Sequence, residues 1–176
     1  MPTLATVKSV FERYASDPEV TRYVGWPRHR SIAETVAFVE FSQAEWRRSS
    51  VGPYLIWARV DGQLLGGTGL SCEPSCEAMT GYVLAKDAWG KGYATEALQA
   101  MVKLSGQLGF ARIFALCHPE HRASRRVLEK VEFTIDPTWT RKLAFPNLDQ
   151  GIHHEVKCYQ RSFEKMGSER HPASLA

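Results

Sequence analysis

The stretch from Gly81 to Gly109, GYVLAKDAWGKGYATEALQAMVKLSGQLG, constrains this chain most. It starts as an apolar strand, Gly81 to Ala85, and turns through Trp89-Gly90-Lys91-Gly92. Ala94, Ala97, Leu98, Met101, Ser105 and Leu108 then recur at three- and four-residue spacing, one face of an amphipathic helix. No Ser, Thr, Asp or Asn stands where a side chain would cap the first turn, so the leading backbone N–H groups lack an obvious acceptor. The two glycines let another body approach the backbone closely. A strand, a glycine turn and an uncapped helix start make a place for an anion such as a phosphate.

The remaining chain supplies a frame for that stretch. Its 176 residues, 44% of them apolar, fit one domain with a true core. Thr6 to Ala15 reads as a short helix broken by Asp17-Pro18. Glu19 to Arg30, with Tyr23, Trp26 and Pro27, reads as an aromatic loop. Ser31 and Glu34 form a capping box that opens a helix ending near Arg48. Tyr54 to Val60 and Gln63 to Leu70 flank Asp61-Gly62, the signal of a two-residue hairpin. Ala78 to Ala85 adds a third strand to this antiparallel meander. Arg112 to Cys117 follows a helical crossover and is expected to run parallel to its predecessor. Ala123 to Val131 reads as a helix with Ala123, Val127, Leu128 and Val131 inward. Phe133 to Leu143 and Glu155 to Gln160 close the sheet around a loop, Ala144 to His154. The domain is expected to span 1–161, and the polar residues 162–176 to form a flexible tail.

Several function classes drop out. No apolar run reaches the ~20 residues that cross a bilayer. The N-terminus lacks the charged-then-apolar form of a signal peptide, so a cytoplasmic protein is expected. Cys72, Cys76, Cys117 and Cys158 lie in apolar stretches and read as reduced, buried thiols; Cys72 and Cys76 lack zinc-pair spacing. His118 and His121 have no carboxylate-and-His set around them, and His153-His154 reads as surface, so no metal site is expected. A net charge of +3 is too small to imply nucleic acid by itself.

Three nucleotide readings compete for the glycine turn. A P-loop needs Ser or Thr after its lysine, and Lys91 is followed by Gly92. A dinucleotide fold wants a third glycine and a first βαβ unit, whereas a hairpin precedes Gly90-Lys91-Gly92. The third reading is a family resemblance. GYVLAKDAWGKGYATEAL followed by HPEHRASRRVLEKVEF resembles the GCN5-related N-acetyltransferases (GNAT), and most of all the branch acting on the N-terminal amine of ribosomal proteins. DPEVTRYVGW and the hairpin before Leu70 extend the likeness over most of the chain.

That resemblance implies an α/β fold, a mixed, mostly antiparallel, splayed sheet with flanking helices, and an acetyl-CoA-dependent enzyme. It implies that Trp89 to Ala94 form the pyrophosphate loop, with N–H groups around Lys91, Gly92, Tyr93, Ala94 and Thr95 as donors and Gly90 beside them. It implies that Val83, Leu84 and Ala85 pair with the pantetheine amides, one N–H polarising the thioester carbonyl, and that His121 and Ser124 contact the cofactor arm near the sulfur. One of Arg122, Arg125 and Arg126 is a candidate for the 3′-phosphate. The chain departs from the family in having Trp89 for Gln or Arg, His121 for Asn, Leu128 for a tyrosine acid and Glu132 for a helix-ending Gly. The family's first strand also looks absent, since Thr6 is already helical.

The chemistry needs an unprotonated amine. At pH 7 a lysine-type amine is about one part in a few thousand neutral, whereas an α-amine is about a tenth neutral and needs less help from a base. With Leu128 unable to donate, Ser124 is the candidate to protonate the leaving thiolate, although it also suits a helix first turn. Glu77, at the start of the central strand, is the first candidate for a base, ahead of Glu73 and Glu120; each also reads as a solvated carboxylate. The expected reaction is direct acetyl transfer to a primary amine of a small molecule or a protein N-terminus. A CoA-binding sensor or interaction module without catalysis is the alternative. A homodimer through the last strand is the expected assembly, if one forms.

Overall fold

A computed structural model of the chain describes residues 1–49, 51–73, 76–149 and 151–163. The expected tail therefore lies outside the described residues beyond Phe163. Ser162 belongs to the last strand, and Phe163 packs its ring 3.4 Å from where a Cβ on Gly106 would sit.

The N-terminal helix runs through three geometries in succession. Leu4–Thr6 is a tight turn, α1 (Val7–Val10) is α-helical, and Phe11–Ala15 widens to π geometry. Helix α2 (Ile32–Ser49) opens where the capping box predicts, but the box is skewed. Ser31 Oγ accepts the Glu34 N–H at 3.4 Å, while Glu34 Oε2 takes the N–H of Arg30 rather than that of Ser31.

Strands β1 (Pro53–Trp57), β2 (Leu64–Glu73) and β3 (Glu77–Leu84) form the meander. The first hairpin is wider than the Asp61-Gly62 signal predicts. The Gly62 N–H bonds the Ala58 carbonyl and the Ala58 N–H bonds that of Gln63, so the loop holds the four residues from Arg59 to Gly62, the last with a φ of +67°. Helix α3 (Tyr93–Gln107) crosses to β4 (Arg112–Cys117), and α4 (Arg122–Lys130) leads to β5 (Thr134–Ile135). Strands β6 (Lys142–Ala144) and β7 (His153–Glu155) form a separate ribbon inside the stretch expected to be one strand and a loop, and β8 (Lys157–Ser162) returns to the main sheet. The strand order is β1-β2-β3-β4-β8-β5. Strand β8 therefore lies inside the sheet, between β4 and β5, and offers no continuous edge for a dimer of the expected kind.

The core fills the sheet face beneath α3 and α4. Leu98 and Met101 of α3, Leu128 of α4 and Ile113 and Ala115 of β4 are buried together with Tyr159. Leu108 and Ala123 stay exposed, because each stands at a helix terminus beyond the sheet. Cys117 and Cys158 are buried as expected, whereas Cys72 and Cys76 are exposed, contrary to the expectation.

The pairing of β3 with β4 shapes the sheet. Strands β3 and β4 run parallel, yet they pair only at Glu77↔Arg112, Ala78↔Ile113 and Met79↔Phe114. Beyond Met79 the two strands diverge, while β3 stays zipped to β2 through Leu84 and β4 stays zipped to β8 through Cys117. The sheet is splayed, and the opening is bounded by unpaired strand backbone.

Candidate active site

The loop after β3 leaves its amides without protein acceptors. Gly90 and Gly92 have φ of +73° and +86°, values that L side chains rarely adopt, and they bend the chain so that Gly92 serves as the N-cap of α3. The first helical bond runs from the Glu96 N–H to the Gly92 carbonyl, and no side chain caps the helix. Among the described residues, no intrachain acceptor takes the N–H groups of Gly90 through Thr95. The space where a Cβ on Gly90 or Gly92 would stand is open to 4 Å. Converging donors at the positive end of a helix favour an anion there.

Trp89 does not join these donors. Its backbone N–H goes to the Lys86 carbonyl at 3.2 Å, and its indole Nε1–H goes back to the Leu84 carbonyl at 2.8 Å. The residue that replaces a polar side chain in the resemblance thus buttresses the loop against the strand end. Arg13 holds the same turn from outside, through both carboxylate oxygens of Asp87 at 2.8 and 3.0 Å and the Leu64 carbonyl at 2.9 Å. Lys86 pairs with Glu19, so the turn is also tied to the aromatic loop.

The strand end is divided between two jobs. The Ala85 N–H bonds the Leu65 carbonyl, so odd residues of β3 face β2. Alternation then turns the N–H groups of Tyr82 and Leu84 toward the splay. Of Val83, Leu84 and Ala85, only Leu84 offers its N–H to the opening. Gly66 permits the tight approach of β2 here, since a Cβ on it would come within 2.1 Å of the Val83 carbonyl oxygen.

Across the opening, α4 supplies Ser124. Its Oγ lies 2.9 Å from the phenol oxygen of Tyr82, which also reaches the Ser124 carbonyl at 3.2 Å. Burial pushes the Tyr82 phenol far above its ordinary range, partly offset by the hydroxyl of Ser124. Beside them the Cys117 thiol points at the carbonyls of His118 and His121. Burial also raises its pKa, which disfavours the thiolate.

His121 is the N-cap of α4, and its ring stacks on Tyr23 at 4.8 Å between centroids. His118 stacks on the same tyrosine at 5.0 Å and meets His154 and Phe145 edge-on at 5.0 and 4.9 Å. The His118 Nδ1 accepts the Glu120 N–H at 3.2 Å, which places its own proton on Nε2. Burial lowers the pKa of both imidazoles, and neighbouring histidines lower it further. His154 is half-buried in this cluster, with Nε2 3.3 Å from Asp149 Oδ2, rather than at the surface. The cluster gathers three segments: the loop after α1, the β4–α4 turn and the β6–β7 ribbon. Asn147 clasps the first to the third, accepting the Arg28 N–H at 2.7 Å and donating to the carbonyls of Thr21 and Trp26 at 2.8 Å. Among the described residues, no group of three or more His, Cys, Asp or Glu is arranged to hold a metal ion.

Two sequence candidates stand elsewhere. Glu77 lies at the opposite end of β3, seven residues or ~23 Å from Leu84. Its carboxylate meets Arg112 through Nη2 at 3.0 Å and lies 2.9 Å from Nε, off-line for a hydrogen bond there. Arg112 also holds Asp136 at 3.0 Å and Gln160 at 2.5 Å. Glu77 therefore pins the short ladder that closes the splay, and it cannot reach the opening as a base. Arg125 is likewise taken, by the Tyr159 phenol and the Pro119 carbonyl, which leaves Arg122 and Arg126 as exposed cations on α4. Sequence reasoning missed Tyr82 and Tyr23 as neighbours of Ser124 and His121; the even-residue face of β3 was the available signal for Tyr82.

Known proteins share this fold. The model of the acetyltransferase (GNAT) domain family matches residues 2–134. An N-acetyltransferase of Bacillus licheniformis named p20, itself uncharacterized, is 26% identical over 124 residues, covering 69% of this chain and 70% of its own. Among solved structures, RimL, a ribosomal L7/L12 alpha-N-protein acetyltransferase in complex with coenzyme A, aligns with a TM-score of 0.78 at 23% identity, covering 92% of this chain and 90% of that one. The microcin C7 self-immunity acetyltransferase MccE, in complex with acetyl-CoA and AMP, aligns with a TM-score of 0.81 at 17% identity, covering 92% and 89%. A splayed sheet with open amides at its mouth and a family model spanning most of the length agree, and the chain belongs to the GNAT N-acetyltransferases.

Proposed function

We propose that this N-acetyltransferase moves the acetyl group of acetyl-CoA directly onto a primary amine, with an α-amine at a peptide N-terminus as the favoured acceptor. The observation that carries the cofactor half is the run of unpartnered amides from Gly90 to Thr95 at an uncapped helix start. In this reading those groups and Lys91 hold the diphosphate, Leu84 offers its N–H to the thioester carbonyl, and His121 and Ser124 line the cofactor arm. Arg122 or Arg126 meets the 3′-phosphate. The groups fit the cofactor by their chemistry: donors where it is anionic and an unpaired strand edge where it carries amides.

The acceptor enters from the other side of the splay, where the loop after α1 and the β6–β7 ribbon are clasped by Asn147. Direct transfer is supported by Cys117, whose burial raises its pKa and disfavours the thiolate that a covalent route would need. An α-amine suits a site whose neighbouring imidazoles have lowered pKa and whose carboxylate candidate, Glu77, is remote. The fold of RimL, which acts on a protein N-terminus by name, is consistent with such an acceptor. Thiol release from acetyl-CoA, measured across peptides with free or blocked N-termini and across lysine-like amines, tests this. Turnover with the free N-termini is expected. Turnover confined to side-chain amines overturns the acceptor, and none with any amine leaves the sensor reading in its place.

A further inference from the structure

We infer that Tyr82 is a positioning residue that directs the hydroxyl of Ser124 at the leaving sulfur of acetyl-CoA; this rests on the acetyl-transfer reading above. Tyr82 comes from β3 and Ser124 from the first turn of α4, so their 2.9 Å contact spans the opening between the diverging strands. A phenol carries one proton, and the Ser124 carbonyl, 3.2 Å away, can only accept. If the phenol donates to Oγ, as the shorter contact favours, the serine's own proton is free for another acceptor, either the neighbouring Cys117 sulfur, on which the Ser124 hydroxyl already acts, or a bound thiolate, the stronger acceptor. Burial keeps Tyr82 protonated, and so a donor, across the physiological range. Leu128 stands where the resemblance places a tyrosine acid and has no proton to give.

The step balances without a proton leaving Tyr82. The amine nitrogen bonds the carbonyl carbon, the carbon–sulfur bond breaks, and its electron pair goes to sulfur. Ser124 donates a charge-assisted hydrogen bond to that thiolate, strengthened by the bond it receives from Tyr82. The proton shed by the amine goes to water, and the thiolate takes one back from water.

Coenzyme A itself is the probe, and no acceptor is needed. The thiol of bound CoA is titrated by its ultraviolet thiolate absorbance, read against the same protein loaded with desulfo-CoA. In Tyr82→Phe and in Ser124→Ala the bound thiol should titrate about one unit higher than in wild type, the size of one charge-assisted hydrogen bond. Ser124→Thr, which keeps the hydroxyl, should retain the wild-type value. In Tyr82→Phe/Ser124→Ala the shift should equal that of Ser124→Ala alone, because Tyr82 acts through Ser124. Equal titration in wild type and Tyr82→Phe, or a further shift in the double variant, overturns the inference while leaving the transferase reading intact. Failure of wild type to bind CoA overturns both.

Discussion

Gly92→Glu separates diphosphate binding from everything else the loop does. The glycine's φ of +86° makes any L residue there cost about 1–2 kcal/mol. That cost falls on the folded state with or without ligand, so it lowers Tm by roughly 2–8 °C and leaves affinity alone. The charge acts differently. The space beside Gly92 is open to 4 Å, so a carboxylate there would stand ~5 Å from a docked diphosphate. Repulsion at that distance is about 0.8 kcal/mol per phosphate charge in water and about 3 kcal/mol at a protein-surface dielectric. Two charges give a loss of at least ~1.7 kcal/mol, or roughly twentyfold in affinity. Calorimetric titration with CoA should read this loss, growing as salt is lowered. Pantetheine, which lacks the diphosphate, should bind Gly92→Glu and wild type alike, and Gly92→Ala should reproduce the fall in Tm without the charge effect. Unchanged CoA affinity, or an equal loss for pantetheine, refutes the reasoning.

Other outcomes follow from the same geometry. Glu77→Gln should lower Tm by a few degrees, for a loss of about 1–2 kcal/mol of charge-assisted bonding to Arg112, with kcat unchanged; a collapse of kcat at intact Tm would restore Glu77 as a base. Glu132 has a φ of +63° and closes a Schellman turn, with Phe133 bonded to Leu128 and Glu132 to Glu129, so Glu132→Gly should raise Tm by roughly 2–4 °C despite losing its exposed pair with Arg161. His118 and His121 have folded pKa values below the ordinary imidazole value, so the unfolded chain binds more protons and stability falls as pH drops below about 6.5. Thermal melts from pH 8 to 5 should show that fall, and His121→Asn should flatten it.

The glycine loop and the uncapped start of α3 were legible in the sequence because their signals are local. Glycines, an absent cap and a helical period sit within Gly81–Gly109, and the loop and α3 fold as that pattern requires. The left-handed position at Glu132 was legible through the family resemblance, which places a helix-ending Gly there. The pairing of Tyr82 with Ser124 was hidden, because 42 residues and a sheet crossover separate them. The role of Glu77 was misread because strand position alone does not say which end of a parallel pair diverges; only the three-residue ladder with β4 decides it. The β6–β7 ribbon escaped because its strands are three residues long, too short for alternation to register.

The proposed reaction requires the amides from Gly90 to Thr95 to be held open for a diphosphate. Amide chemical shifts followed by nuclear magnetic resonance during titration with CoA test it most directly. Large, saturable shifts are expected at Gly90 through Thr95, together with Leu84, and little change at Trp89 or Ala85, whose N–H groups already have partners. Binding that leaves Gly90 through Thr95 unshifted would contradict it.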